Sequence, residues 1–425
     1  MVVELINTGS ELLLGRVLNT HQQWLCRQLA DRGYVVTRQV AVADTGADIQ
    51  QAVREALARA DLIITTGGLG PTSDDLTRDL IAQLLGRKLH EDAGMVAHIE
   101  SFFKHRHRVM PASTRVQAMI PAGAEILPNP NGTAPGLAIE VAPNAFRESG
   151  RRSWLVMLPG PPRELRPMFT DAVVPLLARA LPLEDAFVCR TLKTTGLGES
   201  VVEETVAGPL KTLTDAGLEL GYCARTGEVD LRFVARGATG AAMVDEAAAI
   251  ARGLLGVAVY GEGDEQLEAV LVQMLTARNE TLAVAESCTG GFLANRVTNV
   301  SGASAVFLAG LVTYSNEAKR EFLGVQAETL AAHGAVSEAV AREMAEGARR
   351  RTGATYALAT TGIAGPTGET PGKPVGTVFI AVASPRGTQV LARVNRYDRE
   401  TFKFVTSQQA LDLLRREIGE GEKAG

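Results

Sequence analysis

Two runs near the C-terminal end of the chain combine hydroxyl, thiol and amine side chains with glycine. AESCTGG at 285–291 follows an apolar segment, and we expect it to open a helix whose unpaired N–H groups bind an anion or oxyanion. SGASAVFLAGLVTYSNEAK at 301–319 supplies Ser304 on a tight turn, then Tyr314 and Lys319. A lysine amine can activate a serine hydroxyl without a histidine. The two runs therefore predict an amide-cleaving enzyme.

Three later runs extend this pattern: TTGIAGPTG at 360–368, KPVGTVFIAV at 373–382 and NRYDRE at 395–400. Together with the first two, they resemble the C-terminal domain of the CinA (competence/damage-inducible protein A) family, over roughly residues 261–425. The resemblance implies a nicotinamide-nucleotide amidase, which hydrolyses the amide of nicotinamide mononucleotide to the acid and ammonia. We expect this domain to need no cofactor.

Within that resemblance, Ser304 is the candidate nucleophile, Lys319 its base and Tyr314 a proton relay. The pKa of a lysine, ordinarily about 10.4, must be lowered by burial or a neighbouring cation for this role. Cys288 remains open as an alternative thiol nucleophile. Without the resemblance, Ser304 is interpreted as a residue that caps a turn and Lys319 as a helix residue without a catalytic role. We expect Thr361, Gly362 and Arg399 to anchor the substrate phosphate. The full set of substrate-binding candidates is Ser287, Cys288, Thr289, Gly290, Gly302, Thr361, Gly362 and Arg399.

A glycine-rich run near the other end of the chain, TTGGLGPTSDDLT at 65–77, follows an apolar strand-like segment. Its glycines let the backbone approach a phosphate closely. The acidic pair Asp74 and Asp75 beside a phosphate cradle implies a bridging divalent cation, because the carboxylates would otherwise repel the phosphate. On this loop alone, an ordinary strand–turn–helix connection with Asp74 as N-cap remains equally open.

Three further runs favour the functional reading: GSELLLG at 9–15, NGTAPG at 131–136 and PGPPRE at 159–164. With the loop, they resemble the molybdopterin-binding fold shared by molybdenum-cofactor biosynthesis proteins and the N-terminal domain of CinA. The resemblance implies hydrolysis of ADP-ribose to AMP and ribose 5-phosphate with a divalent metal. The metal candidates are Asp44, Asp75 and Glu164. The nucleotide-binding candidates are Gly9, Asn19, Thr66, Gly67, Gly68, Gly70, Thr72, Asn131, Gly132, Pro159 and Gly160.

The order of apolar runs and helical patterns predicts an α/β, multidomain protein. Alternation through residues 1–165 predicts a doubly wound, mostly parallel sheet that is molybdopterin-binding-like, with ligands beyond the carboxyl ends of its strands. Residues 166–260 predict a small α+β module that resembles the KH-like middle domain of full-length CinA proteins. Its glutamates 199, 203 and 204 would repel RNA phosphates. Residues 261–425 form the predicted α/β amidase domain.

Composition narrows the classes of protein further. The 425 residues, 46% of them hydrophobic, suffice for two or three domains, and the net charge of −5 argues against nucleic acid as the main partner. The four cysteines are far apart, so we expect reduced thiols rather than a disulfide framework. The opening MVVELI has no basic region and no long apolar run. We therefore expect no signal peptide, no membrane partner and a cytoplasmic location.

The expected partners are small nucleotides, namely nicotinamide mononucleotide and ADP-ribose, and the expected assembly is a homodimer. Two alternatives remain open from the sequence. One is a molybdopterin-handling protein in which the C-terminal domain is an accessory. The other, suggested by the family's name, is a non-catalytic partner in DNA uptake or repair.

Overall fold

The computed structural model describes residues 1–423, which divide into two compact units. The first unit contains Met1–Val188 with Arg236–Ala238, and the second contains Cys189–Ala235 with the residues from Thr239 onward. The segments expected as a middle module and an amidase domain thus share the second unit. Residue 166, where the middle module was expected to begin, lies within a helix of the first unit.

The first unit is built on a six-stranded sheet in the order β2-β1-β3-β8-β7-β6, beside a two-stranded sheet of β4 and β5. Strands β2, β1, β3 and β8 run parallel to one another, which confirms the mostly parallel sheet. Strand β7 pairs antiparallel with β8 on one side and with β6 on the other. The strands are β1 (Val3–Thr8), β2 (Val36–Val42), β3 (Leu62–Thr66), β4 (Leu89–Glu91), β5 (Met119–Pro121), β6 (Glu125–Leu127), β7 (Gly136–Val141) and β8 (Ser153–Leu158).

Helices cover both faces of this sheet, because its central strands are buried on both sides. Every residue of β1 and β3 is buried, as expected for parallel strands with a helical layer on each side. One core cluster packs Leu25 and Phe169 against the sheet, and the other packs Val53 and Ile81. The helices are α1 (Ser10–Leu13), α2 (Thr20–Ala30), α3 (Gly46–Leu57), α4 (Thr77–Leu84), α5 (Ala93–His105), α6 (Pro162–Met168) and α7 (Val174–Ala180).

The middle segment forms a four-stranded sheet in the order β10-β11-β9-β12 with three helices, as the prediction of a small α+β module requires. The β10–β11 and β9–β12 pairs are antiparallel. Its strands are β9 (Phe187–Thr195), β10 (Glu219–Arg225), β11 (Glu228–Arg236) and β12 (Val259–Glu262). Its helices are α8 (Glu199–Val206), α9 (Lys211–Asp215) and α10 (Gly240–Leu255).

The C-terminal segment has a five-stranded sheet in the order β14-β13-β15-β16-β17. Strands β14, β13 and β15 are parallel, whereas β16 pairs antiparallel with β15 and with β17. The strands are β13 (Leu282–Glu286), β14 (Phe307–Val312), β15 (Tyr356–Gly362), β16 (Thr377–Ser384) and β17 (Gly387–Val394). The helices are α11 (Leu267–Arg278), α12 (Phe292–Thr298), α13 (Asn316–Leu323), α14 (Ala327–His333), α15 (Glu338–Thr352) and α16 (Arg399–Lys423).

The register of β13 places three strand ends side by side. Glu286, the last residue of β13, pairs with Val312 of β14 on one side and with Thr360 of β15 on the other. The loops that leave these strands therefore begin at one edge of the sheet. Across residues 1–423, no helix combines the length and the apolar character that crossing a bilayer requires.

Buried polar contacts join the middle and C-terminal segments within the second unit. Gln408 of α16 donates to Glu228 Oε1 over 2.8 Å, and the Tyr260 hydroxyl donates to the same oxygen over 2.8 Å. Tyr260, in β12, also packs in the apolar core of the C-terminal segment. The boundary expected at residue 261 therefore falls inside a strand that contributes to both segments.

These contacts predict that the C-terminal sheet is less stable without the middle segment. A fragment of residues 264–425 leaves Gln408 without Glu228, and a lost hydrogen bond to a charged group costs about 1.5–3 kcal/mol. We expect a fragment of residues 189–425 to melt at least about 4 °C higher than the shorter one. Thermal unfolding followed by circular dichroism measures both midpoints. Equal midpoints would show that the buried network adds no stability.

Candidate functional site

The AESCTGG loop begins where β13 ends and is fixed by hydrogen bonds to both neighbouring strands. Ser287 N donates to Thr360 O over 2.9 Å, and Thr313 N donates to Glu286 O over 2.9 Å. The loop thus lies at the carboxyl ends of three parallel strands, where α/β folds place their ligand sites.

Lys319 is buried beside Ser287. Its Nζ lies 3.1 Å from Ser287 Oγ, 2.9 Å from Thr313 O and 3.1 Å from Tyr314 O, and the residue is only 1% exposed. Burial lowers the pKa of Lys319, because the ammonium ion loses its hydration. The two carbonyls can only accept, so a neutral amine donates both of its N–H groups to them. Its lone pair is then left for the Ser287 hydroxyl, which is the arrangement of a general base and a nucleophile.

Ser304, the nucleophile predicted from the sequence, lies away from this base. It is exposed on a short turn before β14, and Leu282 N bonds Val306 O at the start of the two parallel strands. Lys319 follows the other end of β14, and a six-residue strand spans about 20 Å. The prediction that Ser304 pairs with Lys319 is therefore wrong, and Gly302, beside Ser304, does not reach the base either.

Ser287 was predicted to bind substrate, but its position in the sequence also marks it as a candidate nucleophile. It directly follows the buried strand β13, just as Thr313 follows β14. Because carboxyl ends of neighbouring parallel strands meet at one edge, the rule for ligand sites in such sheets points to Ser287 rather than Ser304. Tyr314 also departs from its expected role. Its phenol is 60% exposed and accepts a hydrogen bond from Arg399 Nη2 over 3.0 Å, so it is not a relay for Ser304.

Cys288 is placed as a structural residue. It is buried in the apolar core beside β13, and this burial raises the pKa of its thiol to about 12. The thiol is therefore protonated at neutral pH, and a thiol rather than a thiolate is a poor nucleophile. The alternative of a cysteine nucleophile is not supported by this geometry.

Glu286 occupies the helix end that we expected to bind an anion. Its fully buried carboxylate accepts hydrogen bonds from Gly291 N at 3.0 Å, Leu293 N at 3.0 Å and Ala294 N at 2.8 Å. A carboxylate of the chain itself thus satisfies the first turn of α12. Among the described residues, the N–H groups of Cys288, Thr289 and Gly290 form no hydrogen bond to another residue in this loop. These three groups are the remaining candidates for stabilising an oxyanion.

The phosphate anchors expected on β15 have other contacts. The Thr361 hydroxyl is buried and donates to Ala335 O over 2.8 Å. A Cβ at Gly362 would lie 2.7 Å from Thr377 O, so this glycine allows β16 to approach closely. The Thr361 hydroxyl is thus engaged within the chain, and a phosphate contact at Thr361 and Gly362 stays a prediction. Arg399 Nη1 donates to Gly365 O over 3.0 Å, in addition to the contact of Nη2 with Tyr314.

A second candidate site is a cavity of about 590 Å³ in the first unit, at the carboxyl ends of β1, β3 and β8. Gly67 and Gly68 have positive φ angles, and a Cβ at Gly68 would lie 2.0 Å from Thr77 Oγ1. Only glycine fits there, because the loop folds back onto the start of α4. The predicted residues that line the cavity are Gly9, Asp44, Thr66, Gly67, Gly68, Gly70, Asp75, Pro159, Gly160 and Glu164.

Four predicted nucleotide-binding residues do not line this cavity. Asn19 caps α2 by accepting from Gln22 N over 3.1 Å, and Thr72 donates to Asp75 Oδ2 over 2.5 Å. Asn131 N donates to Asn129 Oδ1 over 3.1 Å, and a Cβ at Gly132 would lie 2.0 Å from Glu164 Oε2. These residues support the loops rather than present free groups. Asp74 is also not the N-cap of α4, because the helix begins at Thr77 after Leu76.

The three metal candidates line one cavity but do not form a metal cluster. Within residues 1–423, no three His, Cys, Asp or Glu side chains are grouped closely enough to hold a metal ion. Glu164 Oε2 accepts from Asn129 Nδ2 over 2.8 Å, Asp44 Oδ2 from Ser10 N over 2.8 Å, and Asp75 Oδ2 from Thr72. The expected set of three carboxylate ligands is therefore wrong. Asp44 and Asp75 each keep one oxygen that no described residue contacts.

His21 lines the same cavity and was not found from the sequence. Its Nδ1 is buried without a hydrogen-bond partner among the described residues. Burial lowers the pKa of His21, so its ring is neutral at pH 7. No spacing in the sequence marks this histidine, because only the fold brings α2 to the glycine-rich loop.

Comparisons with known proteins place the chain in a family. Models of three domains match in order: "Probable molybdopterin binding domain" over residues 4–179, "Damage-inducible protein CinA KH domain" over 189–261 and "CinA C-terminal domain" over 264–418. Among solved structures, the competence/damage inducible protein CihA from Agrobacterium tumefaciens is 42% identical, with a TM-score of 0.34, over 35% of this chain and 92% of its own.

Two relatives match along almost the whole sequence. A CinA-like protein of Anaeromyxobacter sp. (strain Fw109-5) is 43% identical over 97% of this chain and 98% of its own length. A CinA-like protein of Akkermansia muciniphila is 44% identical over 96% of this chain and 95% of its own length. With all three domain models matched and this identity over nearly its full length, the chain belongs to the CinA family.

Proposed function

We propose that the C-terminal segment hydrolyses the carboxamide of nicotinamide mononucleotide to nicotinate mononucleotide and ammonia. The observation that carries this proposal is the 3.1 Å contact between Lys319 Nζ and Ser287 Oγ. A buried amine with a lowered pKa beside a hydroxyl suits acyl transfer and requires no cofactor. The substrate follows from the resemblance of this segment to nicotinamide-nucleotide amidases.

In the proposed reaction, Ser287 Oγ attacks the carboxamide carbon while Lys319 accepts the hydroxyl proton. N–H groups among those of Cys288, Thr289 and Gly290 stabilise the oxyanion, a role worth about 2.7–4 kcal/mol per donor. Lys319 then gives its proton to the amide nitrogen, the C–N bond breaks and ammonia leaves. The acyl group remains bound to Ser287 as an ester. Lys319 next accepts a proton from water as the water attacks the ester. Ser287 regains its proton from Lys319 when the acid departs.

Replacing each of the two serines in turn separates the mechanism derived from the structure from the one expected from the sequence. Ser287→Ala should lower kcat for ammonia release by at least about 10³-fold, because the nucleophile is lost. Ser304→Ala should leave kcat within about twofold, because Ser304 is exposed at the other end of β14. A coupled ammonia assay measures both variants. An inactive Ser304→Ala with an active Ser287→Ala would reverse our assignment.

The lowered pKa of Lys319 predicts the direction of the pH dependence. A general base acts only when deprotonated, so kcat/KM should rise with pH through the pKa of Lys319 and level off below about 10.4. Lys319→Arg should be nearly inactive at every pH, because a guanidinium does not lose its proton. A pH–rate profile from pH 6 to about 10 tests this. A substantially active Lys319→Arg would rule out lysine as the base.

The first unit supports a second activity, which we propose is hydrolysis of ADP-ribose to AMP and ribose 5-phosphate. Its cavity of about 590 Å³ has the size of a small-molecule site, and glycine-rich turns line it beside carboxylates. Mg²⁺ is commonly held by one or two carboxylates together with substrate phosphates, and Asp44 and Asp75, which both line the cavity, are the candidates for that role. A bound divalent cation would neutralise charge on the diphosphate.

Chelation should distinguish the two activities. We expect EDTA to abolish ADP-ribose cleavage and to leave ammonia release from the mononucleotide unchanged. Asp75→Asn should lower ADP-ribose cleavage at least about 10²-fold, whereas Thr72→Val, which removes only the hydroxyl bonded to Asp75, should lower it by less than tenfold. Chromatographic detection of AMP provides the measurement. Cleavage that persists in EDTA would exclude the proposed metal role.

A further inference from the structure

A phosphate bound near Ser287 needs cationic side chains whose charge is not compensated by a carboxylate. The first turn of α12 is occupied by the Glu286 carboxylate, and the Thr361 hydroxyl is bonded to Ala335 O. The Arg399 guanidinium holds the Tyr314 hydroxyl and Gly365 O. Both of these Arg399 partners are neutral, so Arg399 keeps its charge, and a phosphate dianion has room for a second cation beside it.

Lys403 is positioned for this role at the edge of the AESCTGG loop. It lies one helical turn after Arg399 on α16, so the two cations are on the same side of the helix. A Cβ built at Gly290 would lie 3.9 Å from Lys403 Nζ, so the amine lies at the edge of this loop. No carboxylate among the side chains described for residues 1–420 forms an ion pair with Lys403. Its charge is thus available to a ligand.

One aromatic contact directs the lysine toward the loop. Lys403 Nζ lies 5.9 Å from the centroid of the Phe292 ring, within the range of a cation–π interaction. Phe292 directly follows the two loop glycines, so this contact holds the half-buried lysine next to the loop. An ammonium restrained in this way loses less side-chain entropy when it binds an anion than a free surface lysine does.

We propose that Lys403 binds the 5′-phosphate of the nucleotide and makes the deamidase site selective for a phosphorylated substrate over its riboside. This inference rests on the proposed deamidase activity and identifies the group of the substrate that Lys403 recognises. Lys403 takes no part in the proton transfers between Ser287 and Lys319. Its removal therefore affects binding of the phosphate and not the chemistry at the carboxamide.

The test measures two variants of the full-length protein on each of two substrates, nicotinamide mononucleotide and nicotinamide riboside. Lys403→Met keeps the length of the side chain and removes its charge, and Lys403→Arg keeps the charge. For Lys403→Met, we expect KM for nicotinamide mononucleotide to rise about tenfold or more, kcat to change less than about threefold, and kcat/KM for nicotinamide riboside to stay unchanged. Lys403→Arg should stay within about threefold of the wild type on both substrates.

A change of equal size for both substrates in Lys403→Met would overturn the proposal and assign Lys403 a structural role. An unchanged KM for the mononucleotide would overturn it as well. Calorimetric binding of nicotinamide mononucleotide to Ser287→Ala, with and without Lys403→Met, tests the contact independently of turnover. If the wild type releases no ammonia but this binding still depends on Lys403, the deamidase proposal fails and the phosphate contact stands. Binding that is absent or independent of Lys403 overturns the contact.

Discussion

The C-terminal site depends on the burial of one amine. A buried lysine loses the hydration of its charge, which costs free energy unless the proton is released or an anion compensates it. The described contacts of Lys319 Nζ are neutral: two backbone carbonyls and one hydroxyl. This environment favours the uncharged amine that the proposed chemistry needs. The carbonyls belong to Thr313 and Tyr314, so the turn that leaves β14 itself fixes where the amine points.

The same edge of the sheet holds a buried carboxylate whose surroundings are opposite in character. Glu286 accepts hydrogen bonds from three backbone N–H groups. The contact fixes the loop that carries Ser287, because its donors lie on both sides of the turn into α12. It also removes a helix end from the set of anion sites. Arg399 and Lys403, both on α16, are the cations that we consider for a substrate phosphate.

The two candidate sites share a location in the fold and differ in the charge they present. Both lie beyond the carboxyl ends of parallel strands, where successive loops converge. The C-terminal site presents a buried amine and a hydroxyl, which are the two groups used in the proposed amide hydrolysis. The cavity of the first unit presents carboxylate oxygens beside a glycine-rich loop, so a diphosphate there needs a cation as well. The chemistry proposed for each site follows from this difference.

The sequence by itself determined the elements, their order and the loops that matter. Apolar runs such as 62–64 and 282–285 predict strands buried on both faces, and hence a parallel sheet with helices on each side. The glycine-rich runs after those strands predict the positions of both sites. Family resemblance named the same domains that the comparisons show. These features are readable because they depend on local periodicity and on residue type.

Tertiary structure alone decided which side chains meet. The register between β13 and β14 brings Ser287 to Lys319 across 32 positions of sequence and leaves Ser304 at the opposite end of the strand. The Thr361 hydroxyl bonds to Ala335 O, and the Glu286 carboxylate bonds to the first turn of α12. No sequence motif predicts these contacts. Packing of α2 and α16 brought His21 and Lys403 to their loops. Pairing and burial are long-range properties, since they depend on segments far apart in the chain, and a local pattern of residues does not contain them.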